Sequence, residues 1–245
     1  MNKIDILVPE IFPPREILAG VTLKNGNLFD GKGITFSNIG ARIFKDTEVE
    51  ESKRLLSYTT GIEQSKFIFQ KQVHGIEIQQ VHFDTGLNVS DGLVTDTPGL
   101  AIAVKIADCA AVLAYDPIHR AIGAFHSGWK GTMQNIVKSG IDKMVGLFSC
   151  NPSDILVYVS PCASGENYEV MWDVAQHFPL SARQVSEDKY LFDNKKQIYQ
   201  QLIDSGIKHE HIEVSGICTI ADRNYHSYRR DKDVSGRMAA FIYMQ

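Results

Sequence analysis

Between Asp91 and Thr132 the chain interrupts short apolar runs with clusters of Asp, Cys, His, Gly, Trp and Lys, and this stretch constrains the fold more than any other. AIAVKI (Ala101 to Ile106) stops at Ala107-Asp108-Cys109, and AAVLAY (Ala110 to Tyr115) follows. Asp116-Pro117 then turns the chain into AIGAF (Ala121 to Phe125), which ends at His126. Apolar runs of this length between turn signals read as buried strands. After Ser127-Gly128-Trp129-Lys130-Gly131 come Met133, Ile136, Val137, Gly140, Ile141, Met144 and Val145 at helical spacing. A strand, a glycine-rich turn and a helix can aim backbone N–H groups and the positive helix end at an anion.

The flanking text extends the pattern. FIFQKQV and IEIQQV read as strands on either side of Gln72-Val73-His74-Gly75. Thr47 and Glu50 have the spacing of a capping box and predict a helix to about Tyr58. ILVYV (Ile155 to Val159) reads as a strand ending at Ser160-Pro161-Cys162, and His211 to Ser215 and RMAAFIYM as two more. A short helix is predicted over Tyr168 to Phe178. A longer one covers Asp193 to Gly206, where Ile198, Tyr199, Leu202 and Ile203 form an apolar stripe. The sum is a mixed α/β (α+β) fold: mixed β-sheets flanked by helices, as one domain over residues 1–245, with chemistry at strand ends.

Composition narrows the function classes. A net charge of −4 gives no reason to expect nucleic-acid binding. No apolar run approaches the roughly 20 residues of a membrane helix. Cys109, Cys150, Cys162 and Cys218 show no paired spacing, and Lys3, Asp5 and Glu10 break the first apolar stretch, so no secretory signal is read. These features lead us to expect a soluble, cytoplasmic protein with free thiols.

His74, Cys109 and His126 each lie at a strand end beside a polar or glycine-containing break. Three N/S ligands with a fourth position open are the usual make-up of a catalytic zinc site. The same residues suit a cysteine hydrolase, with Cys109 as nucleophile and His126 or His74 as base. Asp108 either supports the neighbouring thiolate or holds backbone N–H groups at the strand end, the second being the favoured role. Asp91 either faces the site or forms a turn. Cys162 either lines the site or packs, and packing is the plainer account. In Tyr225-His226-Ser227-Tyr228-Arg229-Arg230, rings stand beside guanidinium groups that can clamp phosphate.

Taken together, QVHG (Gln72 to Gly75), DGLVT (Asp91 to Thr95), ADC (Ala107 to Cys109), HSGWKGT (His126 to Thr132), SPCASGENYEV (Ser160 to Val170), Cys218-Thr219 and SYRRDKDVSGR (Ser227 to Arg237) carry a resemblance. The chain resembles the YfiH/YlmD family of laccase-domain proteins, formerly described as multicopper polyphenol oxidases. The resemblance implies a zinc-dependent purine nucleoside phosphorylase acting on adenosine, inosine or methylthioadenosine with inorganic phosphate, and with adenosine deaminase activity. It places the metal ligands and catalytic groups on His74, Cys109 and His126. Lys24, Asp91, Lys130 and Arg229 are the residues expected to meet substrate; for Lys24 a solvated surface role is the alternative. Ser37-Asn38-Ile39-Gly40 resembles a further family segment. The chain departs from the family at Leu23-Lys24, where Thr-Arg is usual, at Ser127 and Lys130 within HAGWRG, and at Ser160 within GPC. Lys130 loses the planar fork an arginine would offer phosphate.

Copper-dependent phenol oxidation fits less well than zinc. It calls for many paired histidines, and the eight here include one His-x-His pair, His209-Glu210-His211. A nucleoside-binding protein without turnover is the non-enzyme alternative.

Overall fold

The computed structural model describes residues 3–38, 43–83 and 88–245. Ile39 and Gly40 of the Ser37-Gly40 segment therefore lie outside the described residues. In chain order the strands are β1 (Ile6–Leu7), β2 (Ile17–Thr22), β3 (Phe67–Lys71), β4 (Ile78–Gln80), β5 (Asn88–Val89), β6 (Gly92–Thr95), β7 (Ala101–Ile106) and β8 (Ala110–Asp116). They continue with β9 (Ala121–Ser127), β10 (Leu156–Val159), β11 (Glu169–Val170), β12 (Ala182–Gln184), β13 (Tyr190–Phe192), β14 (Ile212–Val214) and β15 (Met238–Met244). The helices are α1 (Asp46–Thr60), α2 (Trp129–Met133), α3 (Ile136–Phe148), α4 (Trp172–Ala175), α5 (Asn194–Asp204) and α6 (Tyr228–Asp231).

One six-stranded sheet runs β1-β2-β15-β7-β3-β5 and another β14-β10-β8-β9-β6-β4. Both are mixed. In the first, β3 is parallel to β7 while β15 is antiparallel to it; in the second, β4 is parallel to β6 while β8 and β9 form an antiparallel hairpin. Alternation along each strand builds the layers. Ile102, Val104 and Ile106 of β7 meet Ala111, Leu113 and Tyr115 of β8 in the core between the sheets. Ala110, Val112 and Ala114 of β8 turn the other way, onto Ile136, Ile141 and Met144 of α3 and Leu202 of α5. Ala101 and Ala103 of β7 likewise cover Leu55 and Leu56 of α1. The order is helix, sheet, sheet, helix. Strands buried on both faces read as continuous apolar runs, which is why AIAVKI and AAVLAY do not alternate.

The helical prediction after the glycine-rich turn is corrected in one respect: two helices replace one. Asn135 sits in the left-handed region at φ 60°, and its side chain accepts from the N–H of Lys138, so α2 stops and α3 is capped afresh. The capping box closes two residues early, with the N–H of Lys45 donating to Glu48 Oε2 at 2.8 Å; Glu50 takes no part in it. The helix expected over Tyr168 to Phe178 is reduced to β11 and the four residues of α4. Glu169 and Val170 pair as a strand with Leu191 and Tyr190 of β13, and the extended Met171 then caps α4, so the helix cannot begin before Trp172. α5 matches its prediction, and Asp193 caps it by accepting from the N–H of Lys196 at 3.0 Å.

Candidate active site

Three neighbouring strands and one loop assemble the site. Cys109 immediately precedes β8. His126 lies on β9 opposite Ala111, and Phe125 pairs with Gly92 of β6, so Asp91 stands at the same end of the sheet. β4 runs beside β6, which brings the β3–β4 loop and His74 to that end as well.

Asp91 organises the loop. It is fully buried, and its carboxylate accepts from the N–H groups of Val73 (3.1 Å), His74 (2.9 Å) and Gly75 (2.7 Å). These bonds hold His74 at φ 61°, a left-handed conformation that costs energy for a residue with a side chain. Asp91 Oδ1 also accepts from Nδ1–H of His126 at 2.9 Å. That bond fixes the tautomer and leaves Nε2 of His126 as the free donor atom. Asp91, expected among the substrate contacts, is fully buried, and these bonds occupy its carboxylate.

The ligand atoms of His74, Cys109 and His126 all lie within 4.8 Å of one another. The two rings stand edge to face, with centroids 4.9 Å apart. A methyl group built on Gly128 would lie 2.8 Å from Cys109 Sγ and 3.4 Å from His74 Cδ2. Glycine is required there by close approach to the cradle. Burial pushes the Cys109 thiol up, but the charge and hydrogen bonds of His126 and His74 outweigh it and bring the thiol down to about 6. Burial likewise pulls His126 down, and Cys109 and Asp91 overcome it to raise the ring to about 9. One thiolate and two imidazoles with converging donor atoms fit a divalent metal of borderline softness.

A cavity of about 400 Å³ opens on this cluster. Lys71, Lys105 and Arg237 line it together with Gln72, Ser37 and Tyr228, and no carboxylate is among the described residues of the lining. Lys105 Nζ donates to the carbonyl of Gln70 at 2.6 Å, while Gln72 brackets the Lys105 backbone through its own amide. Burial, and then the charge of Lys53, pull Lys105 down to about 8. Burial also draws Arg237 below its ordinary range, against the pull of Cys109. A larger cavity of about 660 Å³ lies beside β12, β13 and the start of α5, but no thiol or imidazole is among the described residues that line it.

The expected cationic contacts fall elsewhere. Lys130 is exposed, with Nζ 5.5 Å from the centroid of the Trp129 ring, and does not line the cavity. Arg229 donates through Nη1 to the carbonyl of Glu169, and its guanidinium lies 5.1 Å from the Tyr168 ring centroid; it too is off the cavity wall. Lys24 is held by backbone bonds to Asn224 and Ile34 and is likewise absent from the lining. Asp108 accepts from the hydroxyl of Thr219 and the N–H of Arg229, so it holds backbone at the strand end. Cys162 is buried, and His209-Glu210-His211 forms a 3₁₀ turn before β14. Sequence reasoning missed Gly128, Gln72, Lys71, Lys105 and Arg237 as site residues. Gln72 and Arg237 were visible only as members of QVHG and SYRRDKDVSGR, and the two lysines carried no local signal.

Residues 19–245 match the sequence model of a family described as multi-copper polyphenol oxidoreductase laccase. The chain belongs to this family. Among curated relatives, purine nucleoside phosphorylase YlmD of Bacillus subtilis is 31% identical, over 94% of this chain and 90% of that protein. A purine nucleoside phosphorylase of Deinococcus radiodurans is 34% identical, over 84% and 81% of the two chains. The crystal structure of YlmD from Geobacillus stearothermophilus superposes with a TM-score of 0.89 at 28% identity, covering 97% of this chain and 94% of that one. The mixed α/β architecture with helix-flanked sheets is thus that of the YfiH/YlmD structures. No described helix of this laccase-domain chain is long and apolar enough to cross a membrane.

Proposed function

We propose that this chain is a zinc-dependent purine nucleoside phosphorylase, with His74, Cys109 and His126 holding the metal. The observation that carries the reading is the cavity itself, where the N/S ligand set shares one space with Lys71, Lys105 and Arg237 and, among the described residues, with no carboxylate. Such a wall favours an anionic co-substrate. The names of the Bacillus and Deinococcus relatives supply the reaction class.

In phosphorolysis a phosphate oxygen bonds to the anomeric carbon of the nucleoside as the bond from that carbon to the purine nitrogen breaks. The bonding pair leaves with the base, which takes up a proton, and ribose 1-phosphate remains. Arg237 offers phosphate a planar fork, and Lys105 and Lys71 add charge around it. The Tyr228 ring, 5.4 Å from the Arg237 guanidinium and partly exposed, presents a face on which a purine can stack. Asp91 keeps His126 oriented. Zinc, when bound, supplies Lewis-acid polarisation of a substrate oxygen. Adenosine, inosine and methylthioadenosine are the proposed nucleosides, and adenosine deamination is a further activity assigned to the same cavity.

The lowered Cys109 thiol beside two imidazoles favours one second reading, a cysteine hydrolase. Incubating zinc-loaded protein with adenosine, with and without phosphate, separates the readings, with His126→Ala prepared identically. Phosphate-dependent adenine from the wild type alone supports phosphorolysis, and phosphate-independent inosine shows deamination. A substrate-derived adduct on Cys109 without either product supports the hydrolase.

A further inference from the structure

At the far end of the β8–β9 hairpin, Asp116, His119 and Cys150 bring together a carboxylate, an imidazole and a thiol whose ligand atoms all lie within 4.8 Å of one another. Asp116 ends β8 and pairs with Ala121 of β9, His119 lies in the turn between the two strands, and Cys150 follows α3. Asp116 is fully buried. Its Oδ1 accepts from the N–H groups of Ile118 at 2.8 Å and His119 at 3.0 Å, which immobilises the carboxylate. Its Oδ2 stands 3.1 Å from Nδ1 of His119. The turn needs only Asp116 and its N–H partners. Cys150 arrives from another element, is 3% exposed, and adds sulfur to a carboxylate and imidazole already in place.

The spacing suits an ion. Zinc ligands at about 2.0–2.3 Å in a tetrahedron hold neighbouring donor atoms roughly 3.3–3.6 Å apart. The Nδ1–Oδ2 separation is already within a few tenths of an ångström of that. The His119 side chain is 36% exposed, which gives an ion access from solvent. We propose that Asp116, His119 and Cys150 form a second divalent-metal site, selective for ions of the zinc class, that ties the far end of the hairpin to the end of α3. Binding exchanges the Cys150 thiol proton for the metal, so one proton enters solvent per ion bound. The length of β8 puts this site about 20 Å from Cys109, and the inference is independent of the function proposed above.

Metal-free wild type, His119→Ala, Cys150→Ser and Cys109→Ser proteins would be equilibrated with zinc, dialysed and assayed for zinc per chain by atomic emission. His119→Ala and Cys150→Ser should each hold one equivalent fewer than wild type. Equal zinc in wild type and His119→Ala would overturn the proposal. His119 is at the surface, so its removal leaves the core packing in place. Cobalt supplies a second readout: a sulfur-to-cobalt charge-transfer band should survive in Cys109→Ser and disappear when Cys150→Ser is added. A Cys109→Ser protein with no such band would also overturn it.

Discussion

Cys109, just before β8, and Cys150, beside the last residue of the same strand, are driven in opposite directions. Burial raises both thiols. At the near end the imidazoles of His126 and His74 more than cancel it and hold Cys109 at about 6. At the far end the Asp116 carboxylate adds to burial and pushes Cys150 well above the ordinary thiol range. At the near end Asp91 holds His126 through its ring Nδ1–H and His74 through its backbone N–H. The near end sets two imidazoles against the sulfur and the far end a carboxylate, and that difference drives the two thiols apart.

The largest effect expected from this contrast is chemical. In metal-free protein at pH 7, alkylation of Cys109 by iodoacetamide should outpace that of Cys150 by at least about a thousandfold, since the thiolate is the nucleophile. Peptide mass spectrometry would resolve the two, and comparable rates would show that the two thiols do not differ in this way. Next, Gly128→Ala should push Cys109 and His74 apart and lower activity about 100-fold, a loss typical of reacting groups displaced by an ångström. Zinc content of the same variant should fall by the near-end equivalent alone, while His119 and Cys150 keep theirs.

The smallest effect sharpens the point with a histidine that burial keeps neutral. His226 is buried, donates through Nε2–H to the carbonyl of Ile34 at 2.7 Å, and accepts at Nδ1 from the N–H of Gly236 at 3.1 Å. Burial lowers it from 6.5 to about 4. The unfolded chain then binds the proton first as pH falls, so this contribution to stability is full above about 6.5 and is lost toward 4. Between pH 7 and 5 the loss should be about 2 kcal/mol, or roughly 30-fold in the unfolding constant. Urea unfolding at both values would measure it, and His226→Gln should flatten that part of the profile.

Much of the fold was legible because doubly buried strands leave unbroken apolar runs, as in β7, β8 and β9. The convergence of His74, Cys109 and His126 was legible because each ends such a run. The break at Asn135 was hidden, since a left-handed residue inside an apolar helical stripe leaves the periodicity intact. Cations were the least legible. Lys130 and Arg229 sit in suggestive company yet turn to Trp129 and Tyr168, while Lys105 and Arg237 reach the cavity from β7 and the approach to β15. Sheet pairing sets their position, and no local motif records it. The far-end cluster was equally silent, because Cys150 is 34 residues from Asp116 in sequence.

Titrating zinc into metal-free wild type and Cys109→Ser, while following phosphate-dependent release of purine from a nucleoside, tests the proposed zinc chemistry most directly. Release that rises with zinc to a plateau in the wild type and stays absent in Cys109→Ser is the predicted result. Undiminished release by Cys109→Ser, or release indifferent to zinc, would contradict the account.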